Sequence, residues 1–548
     1  MAEQKIVSKE ICVLFLGMVI ASVPGFMMVP YSVNPFDEPY QILNALDWEN
    51  SVYSPLSSWM AHYIGEPVHW KYIAFRYLSK TLQFLTLLVS GLYAMKITSF
   101  PSRVRVIAWL ATLFMLCDYN VHYLYGWDNW TALFVSISLI ATLQFLRSRN
   151  PLLILFLSLI TAITSLVRIP NLCIIPITAV VISVSEYRGS QSRRRMIVSG
   201  LVYLVLTMAV CICIISLLYG SVNNYAEAFK QNRIMAHTVP EMINPQIRGF
   251  IMILLYALLT YLAYCGLKRW GKLKNLSLLL TGLTAIVFYC SLLYSRGEIF
   301  GNSDAAVLGI NLLLMYVIWK EAKKRKDYIL WFSVFVMLLF SVVPSVGSNG
   351  GLTKSLSWPL LPLIVAFSPI PSIARERKLT GYAWIIAFGA LTITRLFQPS
   401  FLDGSFASLS FKIKNTDTVF DGMITNQTRG KHITEVASQV RPYLEAGYEV
   451  IALRQGNDYL WEYLILNRNK YQSHLFGNWY AFNDRDYVKS IIIDVKTSRR
   501  PVLVMYMQWK NDKVHSMHDA LERNMTCVLD APGYSFWTYQ PQLGKNDN

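Results

Sequence analysis

Charge is scarce in this chain. Only 15% of its 548 residues are Asp, Glu, Lys or Arg, where a soluble domain carries about a quarter. Acids are scarcer still, 33 against 50 basic residues. Cysteine supplies no disulfide scaffold. Of 8 cysteines, Cys12, Cys173, Cys211, Cys213, Cys265 and Cys290 lie inside apolar blocks, Cys117 ends another, and only Cys527 falls in a polar stretch. The sequence shows no internal repeat, no low-complexity run and no inverted pairing of interrupted helices. These absences exclude a disordered chain, a coiled coil, a disulfide framework and a simple soluble enzyme.

What fills the chain instead is apolar, 54% of it, gathered in long blocks between short charged loops. A bilayer core about 30 Å thick takes roughly 17–25 apolar helical residues per crossing. Thirteen stretches are predicted on that basis: 11–31, 78–95, 104–117, 131–146, 151–167, 171–185, 196–219, 249–267, 275–294, 304–319, 328–344, 354–370 and 380–397. The third and fifth are short. Ile11–Tyr31 is too long for a cleavable signal peptide and lacks a small-residue cleavage site.

The charges orient these crossings. With the N-terminus in the cytoplasm, the cytoplasmic loops are 1–10, 96–103, 147–150, 186–195, 268–274, 320–327 and 371–379, with Arg105 beside the second. They hold 23 basic and 6 acidic residues, and the rest of the chain holds 27 of each. The whole net charge of +17 therefore follows the bias of positive charge toward the cytoplasmic side, and no nucleic-acid partner is expected. The reading is an α-helical polytopic membrane protein: residues 1–397 form a multi-pass module and 398–548 a soluble extracytoplasmic α/β domain. In that domain, strands are expected at Val450–Leu453, Ile491–Val495, Pro501–Tyr506 and Tyr534–Tyr539. Helices are expected around Thr434–Glu445, Asn457–Leu466 and Lys513–Arg523.

The cytoplasmic loops are too short and too basic to build a pocket. The longer outer loops, 32–77, 118–130, 220–248 and 295–303, carry the chemistry, together with all eight histidines. In the first of them, Asp37-Glu38-Pro39-Tyr40 opens a short amphipathic helix, with Pro39 in its first turn. Its Ile42, Leu43 and Leu46 are expected to lie on the bilayer surface, and Trp48, Trp59 and Trp70 to anchor at the interface. Taken alone, an Asp-Glu pair more often simply caps a helix and faces water. Asp128, ahead of the fourth crossing, has the same two readings. Arg168 in Arg168-Ile169-Pro170 either snorkels or meets a lipid phosphate. Arg296 and Lys354 are weaker cases of that kind, and Tyr40 and His122 complete the substrate-binding candidates.

These residues together resemble the GT-C glycosyltransferases, which use polyprenyl-phosphate-linked sugars. The likeness is to the branch of aminoarabinose transferases and protein O-mannosyltransferases, through Asp37-Glu38-Pro39-Tyr40, through Asp128 and through Arg168-Ile169-Pro170. The resemblance implies a polyprenyl-phosphate sugar as donor and a glycan, lipid or protein as acceptor. It also implies catalysis by Asp37, Glu38 and Asp128, and a bacterial inner membrane, with the endoplasmic reticulum as the alternative. It leaves a divalent metal ion open, since some relatives need none, and matches no metal ligands here. Asn129-Trp130 after Asp128 departs from the usual pattern, and the Trp-Trp-Asp motif of oligosaccharyltransferases is absent.

The chemistry can be built from the residues as well. Inverting sugar transfer from a lipid phosphate needs a base at the acceptor hydroxyl and positive charge at the departing phosphate. Asp37 is the base by that logic, Glu38 and Asp128 orient it, raise its pKa or hold a divalent ion, and Arg168 neutralises the phosphate. Two other functions compete. A surface-polysaccharide polymerase or ligase would rely on arginine-rich outer loops. A lipid-linked-sugar flippase or transporter would place ionisable groups at mid-membrane.

Overall fold

The computed structural model describes residues 2–33, 37–46, 48–98, 129–231, 243–251, 322–346, 358–367, 399–400, 403–453, 485–507 and 516–541, with scattered positions in 104–115, 254–262, 312–320 and at 352. The bundle begins with α1 (Ala2–Met27), α2 (Asp37–Leu46), α3 (Pro55–Gly65) and α4 (Tyr72–Ile97). It continues with α5 (Trp130–Ser148), α6 (Leu152–Val167), α7 (Ile174–Ser190), α8 (Arg193–Tyr219), α9 (Val222–Gln231), α10 (Tyr328–Val342) and α11 (Leu361–Phe367).

Among the described residues, five helical segments are long and apolar enough to cross a membrane: Lys9–Met27, Trp130–Ser148, Ile169–Ser190, Arg193–Tyr219 and Tyr328–Ser345. Leu152–Val167 is a shorter apolar helix. Of the expected crossings, 275–294 and 380–397 lie outside the described residues. The case for lipid is clearest in α8. Leu201, Val205 and Leu217 turn outward, 55–79% exposed, on a helix whose other face packs against α6 and α7. A helix apolar on both faces and buried on one needs an apolar solvent on the other.

The stretch expected as crossing 78–95 lies within α4 but is not among the five, because α4 carries a polar seam. Arg76, Ser79, Lys80, Gln83, Thr86 and Ser90 are all buried, and their three- and four-residue spacing puts them on one face, toward the bundle interior.

The links at Arg149 and Gln191 are short because each residue takes a left-handed conformation, with φ of 48° and 53°, that ends its helix in an αL cap. Following the chain through these hairpins sorts the bundle into two ends. One end has Lys96, Arg147, Arg149, Arg188, Arg193, Arg194, Arg195 and Lys323–Lys326. The other has the end of α1, all of α2 and α3, the start of α4 and Arg168 after α6.

The C-terminal region contains a four-stranded sheet in the order β5-β6-β8-β7, made of β5 (Glu449–Leu453), β6 (Val502–Met507), β7 (Thr526–Ala531) and β8 (Tyr534–Tyr539). The β5–β6 pair is parallel and the others antiparallel. Alternation of side chains sends Val450, Ala452, Leu503, Met505 and Phe536 toward α12 (Gln427–Glu445). Ile451, Leu453, Val502, Val504, Tyr506 and Trp537 go to the opposite face, against α13 (Arg485–Thr497) and α14 (Ser516–Asn524). Both faces are covered, as an α/β sandwich requires.

Ile491–Val495 is a correction: it is helical, inside α13, and not a strand. Val488, Ile491 and Val495 are buried together, and their i, i+3, i+7 spacing is that of a helix face, which the run of three isoleucines hides. The expected helix at Asn457–Leu466 lies outside the described residues.

Ahead of this sheet come the short strands β1 (Pro399–Ser400) and β2 (Gly404–Ser405) and the hairpin of β3 (Leu409–Lys412) with β4 (Ile424–Asn426). The hairpin makes much of the contact with the bundle. Ser32 donates its N–H to the Ile424 carbonyl and Ile424 donates to that of Pro30, while Tyr72 donates to the carbonyl of Val419. Ile42, Leu43, Ala45 and Phe75 share one buried cluster with Val419, Phe420 and Met423, each large side chain contributing about 1.5–3 kcal/mol. The apolar face of α2 thus packs on protein, which corrects its expected place on the bilayer surface.

Two predictions concern this region. A Cβ at Gly430 of α12 would stand 2.1 Å from Cδ1 of Phe411. Overpacking of about 1–3 kcal/mol outweighs the gain in helix propensity of roughly 1 kcal/mol, so Gly430→Ala should lower the melting temperature of the full chain. An unchanged or raised value would contradict the packing.

His432, edge-on to Tyr534 at 5.7 Å, has its pKa lowered below the ordinary 6.5, first by burial; Glu435 raises it and Arg429 lowers it. A depressed histidine binds fewer protons folded than unfolded, so its stabilisation is whole above pH 6.5 and is lost as pH falls below it. Thermal stability should therefore drop between pH 7.5 and 5.5, and His432→Phe should flatten that slope. An equal slope in the variant would remove His432 as its source.

Candidate functional site

The described part of the segment between α1 and α2 is bonded from outside itself. Glu38, in the first turn of α2, is 4% exposed and receives Nε and Nη2 of Arg76 at 3.0 and 2.7 Å. The Tyr72 hydroxyl donates to the same carboxylate. Arg76 is itself fully enclosed. Its guanidinium lies 4.7 Å from the centre of the Tyr72 ring, and its Nη1 donates to the carbonyls of Val29 and Tyr31 at 3.1 and 2.7 Å. A planar fork of donors suits this task, binding a carboxylate with one side and two peptide carbonyls with the other. Glu38 therefore does not face water; both its oxygens are engaged by protein.

Asp37 is the first residue of α2, and Tyr40 follows three positions later. One turn beyond Arg76 along α4, Lys80 is buried and donates to Gln83 Oε1 at 3.1 Å. Ser79 accepts a hydrogen bond from Asn129, the residue after Asp128 and just ahead of α5. The polar seam of α4 thus reaches Asn129, at the start of α5.

Arg168 occupies the corner between α6 and a short 3₁₀ turn, Ile169–Cys173, with extended backbone. Pro170 in the first positions of that turn prevents α6 from continuing. The side chain is buried and donates from Nη1 to the Pro344 carbonyl at 2.7 Å. Next to it, Ile169 donates to the Tyr53 carbonyl, and Asn171 Nδ2 donates to Thr164 and Thr131 at 3.0 and 3.4 Å. The Arg168 corner therefore borders the loop that joins α2 to α3.

Of the residues singled out in the sequence, Asp37, Glu38, Tyr40 and Arg168 are described, and all four fall at the same end of the bundle, opposite the basic end. Asp128, His122, Arg296 and Lys354 lie outside the described residues. Among the described residues, no three His, Cys, Asp or Glu gather as metal ligands would. Tyr72, Arg76 and Lys80 were not singled out. Their four-residue spacing at the head of an apolar helix is a legible sign of a buried polar face, since cations seldom enter such a face without a partner.

No protein-family model matches the chain, and no curated protein matches it. In structure it is similar to ArnT from Cupriavidus metallidurans bound to undecaprenyl phosphate, at 12% identity and a TM-score of 0.43, over 96% of this chain and 97% of that one. It is likewise similar to ArnT from Cupriavidus metallidurans in the apo state, at 11% identity and a TM-score of 0.42, over the same shares of the two chains.

Proposed function

We propose that the protein is an inverting membrane glycosyltransferase that moves a sugar from a polyprenyl-phosphate donor to a glycan, lipid or protein acceptor on the extracytoplasmic face. In this reading residues 1–397 are the membrane module, with thirteen crossings and the N-terminus in the cytoplasm. Residues 398–548 form the extracytoplasmic domain, in a bacterial inner membrane. Asp37 is the base that takes the acceptor proton, and Asp128 orients it. Arg168 faces the departing phosphate, with Arg296 and Lys354 as further cations, while Tyr40 and His122 are further substrate-binding residues.

One observation carries the reading. The acid-bearing helix α2 and the Arg168 corner flank the same loop, at the bundle end away from the basic residues. A base and a phosphate-neutralising cation on one face are what the reaction requires. Glu38 has a different part in it: as partner of Arg76 it fixes the helix that Asp37 opens.

The flippase alternative gains from buried Lys80, since transporters bury ionisable groups. That lysine, however, is one turn from Arg76, near the start of α4. The test is reconstitution with undecaprenyl-phosphate sugars. The expected result is release of undecaprenyl phosphate and a product of inverted anomeric configuration. Product with retained configuration, or donor moved across the bilayer without cleavage, would sink the proposal.

A further inference from the structure

The chain entering α2 is held by the C-terminal region at both polar atoms of a single peptide residue. Val33 lies four positions before Asp37. Its N–H donates to Asp403 Oδ2 at 2.8 Å, and its carbonyl accepts from Arg429 Nη1 at 2.6 Å. The same Nη1 stands 3.1 Å from Asp403 Oδ1, so the two side chains that grip Val33 also pair with each other.

The pair is built into the region behind it. Asp403 is fully buried and accepts from the hydroxyl of Thr425 and the side-chain amide of Asn426. Asn426 Oδ1 in turn caps α12 by accepting the backbone N–H of Arg429 at 2.8 Å. Through that helix the grip is continuous with the core formed by Ile433, Val436 and Val440.

Apolar contacts already dock the two parts, but such contacts are non-directional and tolerate sliding. Hydrogen bonds to one peptide do not, because they weaken steeply with angle and distance. An ion pair between a buried carboxylate and a half-buried guanidinium is also a poor source of net stability, so its presence is better explained by geometry. Displacement of a reacting group by about 1 Å can cost about 10²-fold in rate. We propose that Asp403 and Arg429 are positioning residues for the transfer reaction, setting through Val33 the place of α2 and of Asp37; this rests on the reading of Asp37 as base.

The experiment uses the full chain in nanodiscs, with the undecaprenyl-phosphate sugars of a bacterial lipid extract as donor and release of undecaprenyl phosphate as readout. Arg429→Ala should lower turnover at least tenfold while the half-saturating donor level stays within twofold. Arg429→Lys keeps a cation and a bond to the Val33 carbonyl, and should stay within threefold of the parent. Hydrogen exchange at the amides of Ser32 and Val33 and through α2 should quicken at least tenfold in Arg429→Ala and little in Arg429→Lys. If Arg429→Ala does not fold, Thr425→Val, which loosens Asp403 without removing a charge, should give an intermediate loss in both readouts.

Faster exchange with turnover within twofold of the parent would overturn the proposal, as would unchanged exchange over residues 32–46. Asp37→Asn measured alongside separates the two readings. If that variant were fully active the base assignment would fall, whereas exchange over residues 32–46 needs no donor and still decides whether the pair holds α2.

Discussion

Replacing Asp37 by asparagine is expected to lower sugar transfer by roughly 10²–10⁴-fold, the contribution of a positioned general base. The amide has the size and polarity of the carboxylate but cannot accept the acceptor's proton at neutral pH. Folding is expected to survive, because α2 keeps its other anchors. Glu38 is held by Arg76 and Tyr72, and Ile42 and Leu43 by the cluster around Phe420. The check is turnover of reconstituted protein beside its melting temperature. Full activity in the variant removes Asp37 as base; equal losses of activity and stability assign it to folding.

The second large effect belongs to Arg76. Arg76→Met leaves the buried Glu38 carboxylate without its cation, keeping the Tyr72 hydroxyl, and removes a donor from the carbonyls of Val29 and Tyr31. Breaking a buried ion pair by removing one partner costs about 3–5 kcal/mol, and stability should fall by that order. The double variant Glu38→Leu, Arg76→Met should be less harmful than the two single changes summed, since no charge is then left unpaired. It should not return to the parent level, because the hydrogen bonds from Arg76 to the two carbonyls are still lost. Denaturation of all four proteins closes the cycle. A single variant within about 0.5 kcal/mol of the parent, the range of neutral surface changes, would show that the pair does not organise the segment.

What could be read in the sequence follows from how local its cause is. The apolar helices of the described region, the helix opened by Asp37 and the strands at Val450–Leu453 and Tyr534–Tyr539 are set by composition and periodicity within a dozen residues, and they stand in the structure. The run Ile491-Ile492-Ile493 was misleading because three adjacent β-branched residues look like a strand, while the period that decides spans Val488 to Val495. The apolar face of α2 was legible as a face, but its partner was not, since Phe420 and Met423 lie far along the chain.

The site divides in the same way. Asp37, Glu38 and Arg168 stand out as polar residues at the ends of apolar runs. Arg76 is visible only as a cation at the head of α4, and its four acceptor contacts come from residues 38 or more positions away. Asp403 and Val33 are separated by 370 positions, and nothing in either local sequence marks the pairing.

The most direct test of the proposed outer-face transfer is mass spectrometry of lipids that co-purify with the parent protein and with Asp37→Asn. The account predicts a polyprenyl phosphate carrying a single sugar, enriched in the inactive variant because binding survives while turnover does not. A long lipid-linked glycan in its place would contradict the account and favour a polymerase or ligase.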